Sequence, residues 1–173
     1  AMKIGIMGGS YNGTGEITTK VYEIAKTLSK YDNFVMGPNE TGLLREVKDV
    51  LFENNKNITI YGLDTNEFKE VRGTTKYKVK TVTDRIANLY NESDLIIFLP
   101  GGVGTRAEFY TMLDSKMELK CDKKIYLYNE FGDFDLLLQE LKSLKENNYI
   151  SKDEDLSCYF KIISSCEEIE KLL

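Results

Sequence analysis

The sequence contains no histidine, and it has only three cysteines in 173 residues. Without imidazole, the Ser-His-Asp and Cys-His mechanisms, zinc sites that use histidine and imidazole proton shuttles are excluded. Any acid–base chemistry must therefore use the carboxylate, Lys, Tyr or Cys side chains that the chain does contain.

The cysteines Cys121, Cys158 and Cys166 are odd in number and form no Cys-x-x-Cys pair. This pattern argues against a disulfide framework and against a four-cysteine zinc site, and it predicts three small, buried, reduced side chains. Reduced cysteines are typical of the cytoplasm, so we predict a cytoplasmic protein with no metal and no cofactor. No apolar run approaches the ~20 residues needed to span a membrane, and the opening AMKIGIMGGS lacks the pattern of a signal peptide.

The charge balance is acidic, with 23 Lys and Arg residues against 28 Asp and Glu residues and a net charge of −5. The totals show no basic surplus for a polyanion, so nucleic acid is not a predicted partner. At roughly 150 residues per domain, the length predicts one domain with one core.

Short apolar runs alternate with longer amphipathic stretches, as in a chain of alternating strands and helices. Strands are predicted at 3–7, 34–36, 58–63, 77–82, 94–99, 124–128 and 157–163, and helices at 16–30, 42–54, 83–92, 105–117, 134–146 and 166–173. The polar stretch 64–76 is predicted to be an irregular functional loop. This order predicts an α/β fold, a doubly wound, Rossmann-like parallel sheet with helices on both faces.

Three glycine-rich turns each follow a predicted strand and precede a predicted helix: GGSYNGTGE (8–16), GPNETGLL (37–44) and PGGVGTRAE (100–108). In a parallel sheet they share one edge, where helix amides can bind an anion. The alternative is that glycine merely permits tight turns. The GxGxxG spacing of dinucleotide sites and the GKS or GKT of a Walker A loop are both absent, so we predict a phosphate-bearing small molecule but neither NAD binding nor ATP hydrolysis.

The third turn places Glu108 three residues after Thr105. One interpretation is a capping box, in which Glu108 accepts a hydrogen bond from the Thr105 backbone. A functional interpretation is that the carboxylate faces a bound ribose, where its charge stabilises a positive transition state.

PGGVGTRAE resembles the PGGxGTxxE motif of the LOG ("lonely guy") family, which is often mislabelled lysine decarboxylase. Arg85 stands 15 residues before Pro100, where that family has the Arg of its M-H-x-R-K segment. Gly37–Leu44 resembles the family's GGGxxGLMG turn, Gly9-Ser10 resembles its opening GSS turn, and NEFGDFD (129–135) is similar to its N-x-x-G-Y-Y-D stretch.

The resemblance implies one LOG-like, nucleotide-binding α/β domain over residues 2–173 that hydrolyses the N-glycosidic bond of a nucleoside 5'-monophosphate and acts as a homodimer. It implies a catalytic pair of Arg85 and Glu108. The residues implied to bind phosphate or substrate are Gly9, Ser10, Thr41, Gly42, Gly101, Gly102, Val103, Gly104 and Thr105.

The chain departs from the family pattern beside this pair. Ile86 replaces the Lys that follows the Arg, Ala107 replaces the first Glu of the family's usual pair, and the family's His before the Arg is missing. Pro38-Asn39 replaces two glycines of the second turn. The alternative function is therefore a non-catalytic nucleotide- or molybdenum-cofactor-binding module of the same fold. No pyridoxal phosphate site supports a lysine decarboxylase.

Overall fold

A computed structural model of the chain describes residues 1–11 and 13–172. Within them, seven strands form one parallel sheet in the order β4-β3-β2-β1-β5-β6-β7. The strands are β1 Lys3–Met7, β2 Asn33–Met36, β3 Asn57–Leu63, β4 Thr75–Val79, β5 Leu95–Phe98, β6 Lys124–Tyr128 and β7 Lys161–Ile163. The interior strand β5, next to the central strand β1, is buried along its whole length, as its continuous apolar run predicts.

Helices cover both faces of the sheet. They are α1 Val21–Leu28, α2 Gly42–Glu53, α3 Asn66–Glu70, α4 Val82–Glu92, α5 Val103–Leu119, α6 Asp135–Glu146 and α7 Cys166–Glu170. The apolar residues of α1, α2 and α7 belong to the core on one face, and those of α4, α5 and α6 to the core on the other face. The predicted doubly wound α/β fold is confirmed.

The strand order reverses between β1 and β5. The chain adds β2, β3 and β4 on one side of β1, and then returns to place β5 on the other side. Ile4 of β1 consequently lies beside Phe34 of β2 on one side and beside Leu95 of β5 on the other. The turns after β1 and β5 lead to helices on opposite faces, which leaves a crevice between them where open α/β sheets bind ligands.

The predicted helix over 16–30 is shorter in the structure. Its beginning is a 3-10 turn, Glu16–Thr19, and the α-helix starts only at Val21. The hydroxyls of Thr18 and Thr19 donate to the carbonyls of Gly15 and Glu16 at 2.8 and 2.7 Å. Such local bonds compete with regular helix formation.

The predicted loop over 64–76 was wrong in part. It contains α3, which is capped by the Thr65 side chain, and it ends in β4, which already begins at Thr75. In the tail, a 3-10 turn at Leu156–Cys158 precedes β7, so only the end of the predicted strand 157–163 is extended. Asn12 in the first turn and Leu173 in the predicted last helix lie outside the described residues.

Candidate functional site

The three glycine-rich turns meet at the carboxyl ends of the strands. The backbone N–H of Gly9, after β1, donates to the carbonyl of Pro100, after β5, at 2.9 Å. The Thr41 hydroxyl, after β2, donates to the carbonyl of Ser10. The first and third turns are thus joined through main-chain atoms, and the second turn is joined to the first through a threonine hydroxyl, as three neighbouring strands of one sheet predict.

Two glycines allow this close approach. Gly42 has a φ of +66°, and a Cβ at this position would lie 2.5 Å from the carbonyl oxygen of Tyr11. A Cβ on Gly101 would lie 2.8 Å from the backbone nitrogen of Gly9 and 2.0 Å from the Thr105 Oγ1. Glycine is therefore required at both positions by contact, and at Gly42 also by the left-handed backbone. We call this contact of the three turns the turn junction.

A cavity of about 300 Å³ lies against the turn junction. Its walls are formed by the first and third turns, by the start of α2 and by Asp133 in the loop after β6. Predicted site residues Gly9, Gly101 and Gly102 line it, whereas Arg85 and Glu108 do not.

Helix α5 begins two residues earlier than the sequence predicts. Its N-cap is Gly102 and its first residue is Val103, so Thr105 lies inside the first helical turn and is buried. Within the described chain, the Thr105 backbone N–H donates no hydrogen bond to the Glu108 carboxylate. The capping-box interpretation of the T-x-x-E spacing is therefore wrong.

Glu108 lies one helical turn after Thr105 and is half-buried. Burial raises the pKa of its carboxyl to about 7, against an ordinary value of 4.5, while the nearby positive charge of Arg85 lowers that pKa in part. Arg85 lies in the first turn of α4, which packs beside α5. Two predicted residues 23 positions apart in the sequence thus lie close enough for the charge of Arg85 to affect the pKa of Glu108.

The start of α5 connects this pair to the turn junction. Gly102, Val103 and Gly104 are exposed, with Val103 87% exposed. The first amides of a helix have no partner within the helix and favour an anion. The structure therefore places an exposed helix start on the same helix as a carboxyl group of raised pKa.

Arg106 is a positioning residue that the sequence analysis missed. Its guanidinium donates to the carbonyls of Gly101 at 2.6 Å and Asp133 at 3.3 Å, and it lies over the ring of Phe134. It therefore joins the third turn to the loop after β6. Only its place inside the PGGVGTRAE segment could have indicated this role.

Within residues 1–11 and 13–172, no group of three Cys, Asp or Glu side chains is arranged to hold a metal ion. None of the helices that the structure describes combines the length and apolar character needed to traverse a lipid bilayer.

Comparison with known families assigns the chain to one family. A family model described as possible lysine decarboxylase matches residues 42–173, which include Arg85, the third turn and Glu108. The chain belongs to this family.

Curated relatives of this family confirm the predicted resemblance to LOG proteins. Cytokinin riboside 5'-monophosphate phosphoribohydrolase LOG1 of Arabidopsis thaliana is 28% identical over 127 residues, which cover 72% of this chain and 60% of the relative. LOG3 of the same plant is 28% identical over 127 residues, covering 72% and 59%. The chain thus matches about three-fifths of the length of these LOG relatives.

Solved structures similar to this LOG-family chain support the fold. The molybdenum cofactor binding protein of Rippkaea orientalis has a TM-score of 0.69 at 19% identity, covering 96% of this chain and 91% of that protein. The molybdenum cofactor carrier protein of Chlamydomonas reinhardtii has a TM-score of 0.68 at 16% identity, covering 97% and 93%. At these identities the similarity is one of fold.

The effect of Arg85 on the pKa of Glu108 in this LOG-family chain can be tested by substitution. Replacing Arg85 with Met removes the charge that lowers the Glu108 pKa, so this pKa is expected to rise further above about 7. A ¹³C NMR titration of the Glu carboxyl carbons measures it. Arg45→Met, at an exposed position on α2, is the matched control and should leave the Glu108 titration unchanged. An unchanged titration in Arg85→Met would contradict the pairing.

Proposed function

We propose that the chain hydrolyses the N-glycosidic bond of a nucleoside 5'-monophosphate, releasing the free base and ribose 5-phosphate. The observation that carries the proposal is the Glu108 carboxyl, whose pKa of about 7 lets it accept a proton near neutral pH. It lies in the second turn of α5, whose exposed start would hold the 5'-phosphate. Membership of the LOG family supports the proposal.

In the proposed reaction, water adds to C1' of the ribose while the C1'–N bond breaks. The electron pair of that bond leaves on the base nitrogen, and the positive charge that develops on the sugar is stabilised by the ionised Glu108 carboxylate. Glu108 accepts one proton from the attacking water and later releases it to solvent, and the departing base takes up a proton from solvent, so that one water molecule is consumed in all. Arg85 keeps part of the Glu108 population ionised by its positive charge.

The backbone amides of the third turn have a separate role in the proposal. The segment from Gly101 to Thr105 would bind the phosphate, and Gly9, Ser10, Thr41 and Gly42 would form the opposite wall. Distance along the helix supports this division, since three residues of an α-helix rise about 4.5 Å. The phosphate and the reacting carbon of a nucleotide can then contact the same helix at different heights.

A second candidate is a carrier that binds a phosphorylated ligand without turnover. Two observations favour it: the folds of molybdenum cofactor proteins are similar, and Ala107 and Ile86 replace charged family residues next to the catalytic pair. Ile86 is buried among apolar residues of α4 and α5, where it has no part in polar chemistry.

A nucleotide panel separates the two candidates. AMP, CMP, GMP, UMP, IMP and their deoxy forms are incubated with the protein, and free base and ribose 5-phosphate are quantified by chromatography. We expect equimolar release of both products from at least one nucleotide. Tight binding of a nucleotide with no product, in wild-type protein and in Glu108→Gln alike, would establish the carrier instead.

A further inference from the structure

A second cavity, of about 280 Å³, lies at the amino ends of β6 and β7. It is therefore at the edge of the sheet opposite to the turn junction. The end of α5 and the 3-10 turn before β7 complete its walls. None of the residues assigned to the proposed reaction lines it.

The charge of this cavity differs from that of the whole chain. Four lysines line it, Lys116, Lys123, Lys124 and Lys161, against the single carboxylate of Asp122. The chain as a whole carries a net charge of −5. A local excess of positive charge on an acidic protein attracts small anions to one place.

Lys116 is the buried member of this group. Its residue is 8% exposed, and its Nζ makes no hydrogen bond or ion pair with any residue that the structure describes. Among the residues that the structure describes, Lys48, which lies elsewhere, has the only fully enclosed side-chain nitrogen or oxygen without a hydrogen bond. The Lys116 Nζ also lacks a hydrogen bond but is not fully enclosed, and Lys116 lines the cavity.

The lysines around Lys116 are not equally available to a ligand. The Lys123 Nζ donates to the carbonyl of Ser93 at 2.7 Å and to that of Asn91 at 3.2 Å, two residues outside the cavity wall. Near Lys116, the charge of Asp122 attracts its ammonium group and the charge of Lys161 repels it. One exposed carboxylate does not balance the lysines of the cavity, and a bound anion would lower the repulsion that remains.

We propose that this cavity binds a phosphate group, either as inorganic phosphate or as part of a small phosphomonoester. A dianion needs more than one cation, and the compact ammonium of lysine is a common phosphate ligand. Lys116 would contact the anion from the buried side, with Lys124 and Lys161 at the opening. The proposal does not depend on the reaction assigned to the turn junction.

The test is ¹⁵N NMR of the full chain, titrated separately with inorganic phosphate and with ribose 5-phosphate at constant ionic strength. We expect the amide signals of 121–125 and 157–161 to shift in a saturable way. Lys116→Met removes the buried charge and should weaken this binding at least about tenfold, the loss typical of a charge-assisted hydrogen bond. Lys142→Met, with the same change at an exposed position on α6, should leave it unchanged.

The outcomes distinguish a specific phosphate site in this cavity from nonspecific attraction of phosphate to surface lysines. Shifts confined to the amides of residues 100–105 would overturn the proposal, since they would place the phosphate at the turn junction alone. Equal affinities of Lys116→Met and Lys142→Met would overturn it as well. If Lys116→Met does not fold, Lys161→Gln at the exposed opening replaces it, with at least a severalfold loss expected. Tighter binding of ribose 5-phosphate than of phosphate identifies a phosphomonoester, and equal binding identifies the inorganic anion.

Discussion

Replacing Glu108 with Gln is expected to lower kcat by about a hundred- to ten-thousandfold, the range over which a positioned acid–base group contributes to catalysis. Gln has nearly the same shape but can neither carry the charge that stabilises the sugar cation nor accept a proton. The rate of base release under saturating nucleotide measures the effect. Glu118→Gln, at an exposed position further along α5, is the matched control and should retain full activity.

The same substitution is expected to raise stability above neutral pH. Because the Glu108 pKa is raised to about 7, the folded chain holds this proton more tightly than the unfolded chain does. Ionisation therefore destabilises the fold progressively between pH ~4.5 and ~7, and the full penalty is present above pH ~7. Glu108→Gln removes a penalty of about 1 to 3 kcal/mol in that alkaline range, and no such gain is expected below pH ~4.5.

Urea unfolding at pH 5 and pH 8 measures the stability difference between wild type and Glu108→Gln.

Each of the two predictions for Glu108→Gln has an outcome that contradicts it. Full activity of this variant would exclude Glu108 from the reaction. A variant that is less stable than wild type at pH 8 would show that the carboxylate holds the fold together, which is the opposite of what its environment indicates.

Replacing Gly42 with Ala is expected to destabilise the fold by about 2 to 5 kcal/mol. The left-handed backbone costs a non-glycine residue about 1 to 2 kcal/mol, and forcing a methyl group against packed atoms costs about 1 to 3 kcal/mol more. The added Cβ would meet main-chain atoms of Gly9, Ser10 and Tyr11, which cannot rotate away. The first turn must then move, so nucleotide affinity should fall as well.

The matched control is Gly104→Ala, where an added Cβ has no atom within 4 Å. This substitution lies inside helix α5, so it should leave stability unchanged or raise it by up to about 1 kcal/mol. Urea midpoints of the two variants provide the comparison. Equal midpoints would show that the turn junction tolerates movement of its backbone.

The fold could be predicted from the sequence because apolar runs and helical periodicity are features of short, continuous segments. β5 is a continuous apolar run, and α2 carries an apolar residue on every turn, so both elements lie where the pattern indicates. The start of α5 was misplaced because Gly104 was interpreted as part of a turn, although glycine is tolerated in a first helical turn. α3 was missed because its five residues contain a single buried side chain, Phe68, and show no period.

The sequence predicts which turns form the candidate site, but it does not predict the burial and the neighbouring charges of the site residues. That three turns share an edge follows from parallel strands, whereas the raised Glu108 pKa depends on α4 packing beside α5. The lysine-lined cavity at the amino ends of β6 and β7 could not be predicted from the sequence either. Lys116 and Lys161 are 45 positions apart, and the net charge of the chain is negative. The net charge sums over the whole chain, so it does not reveal that the fold gathers several lysines on one surface.

The turn junction also constrains how this protein can diverge. A side chain at Gly42 would meet only main-chain atoms, so no exchange of a neighbouring side chain can compensate for a larger residue there. A side chain at Gly101 would meet the backbone nitrogen of Gly9 as well as the Thr105 side chain, so replacing Thr105 alone would not make room for it. Variation is left to the cavity rim, where Tyr11, Thr14 and Asp133 present side chains. If the proposed function holds, relatives should keep one place for the phosphate end of a ligand and differ in what they accept at its other end.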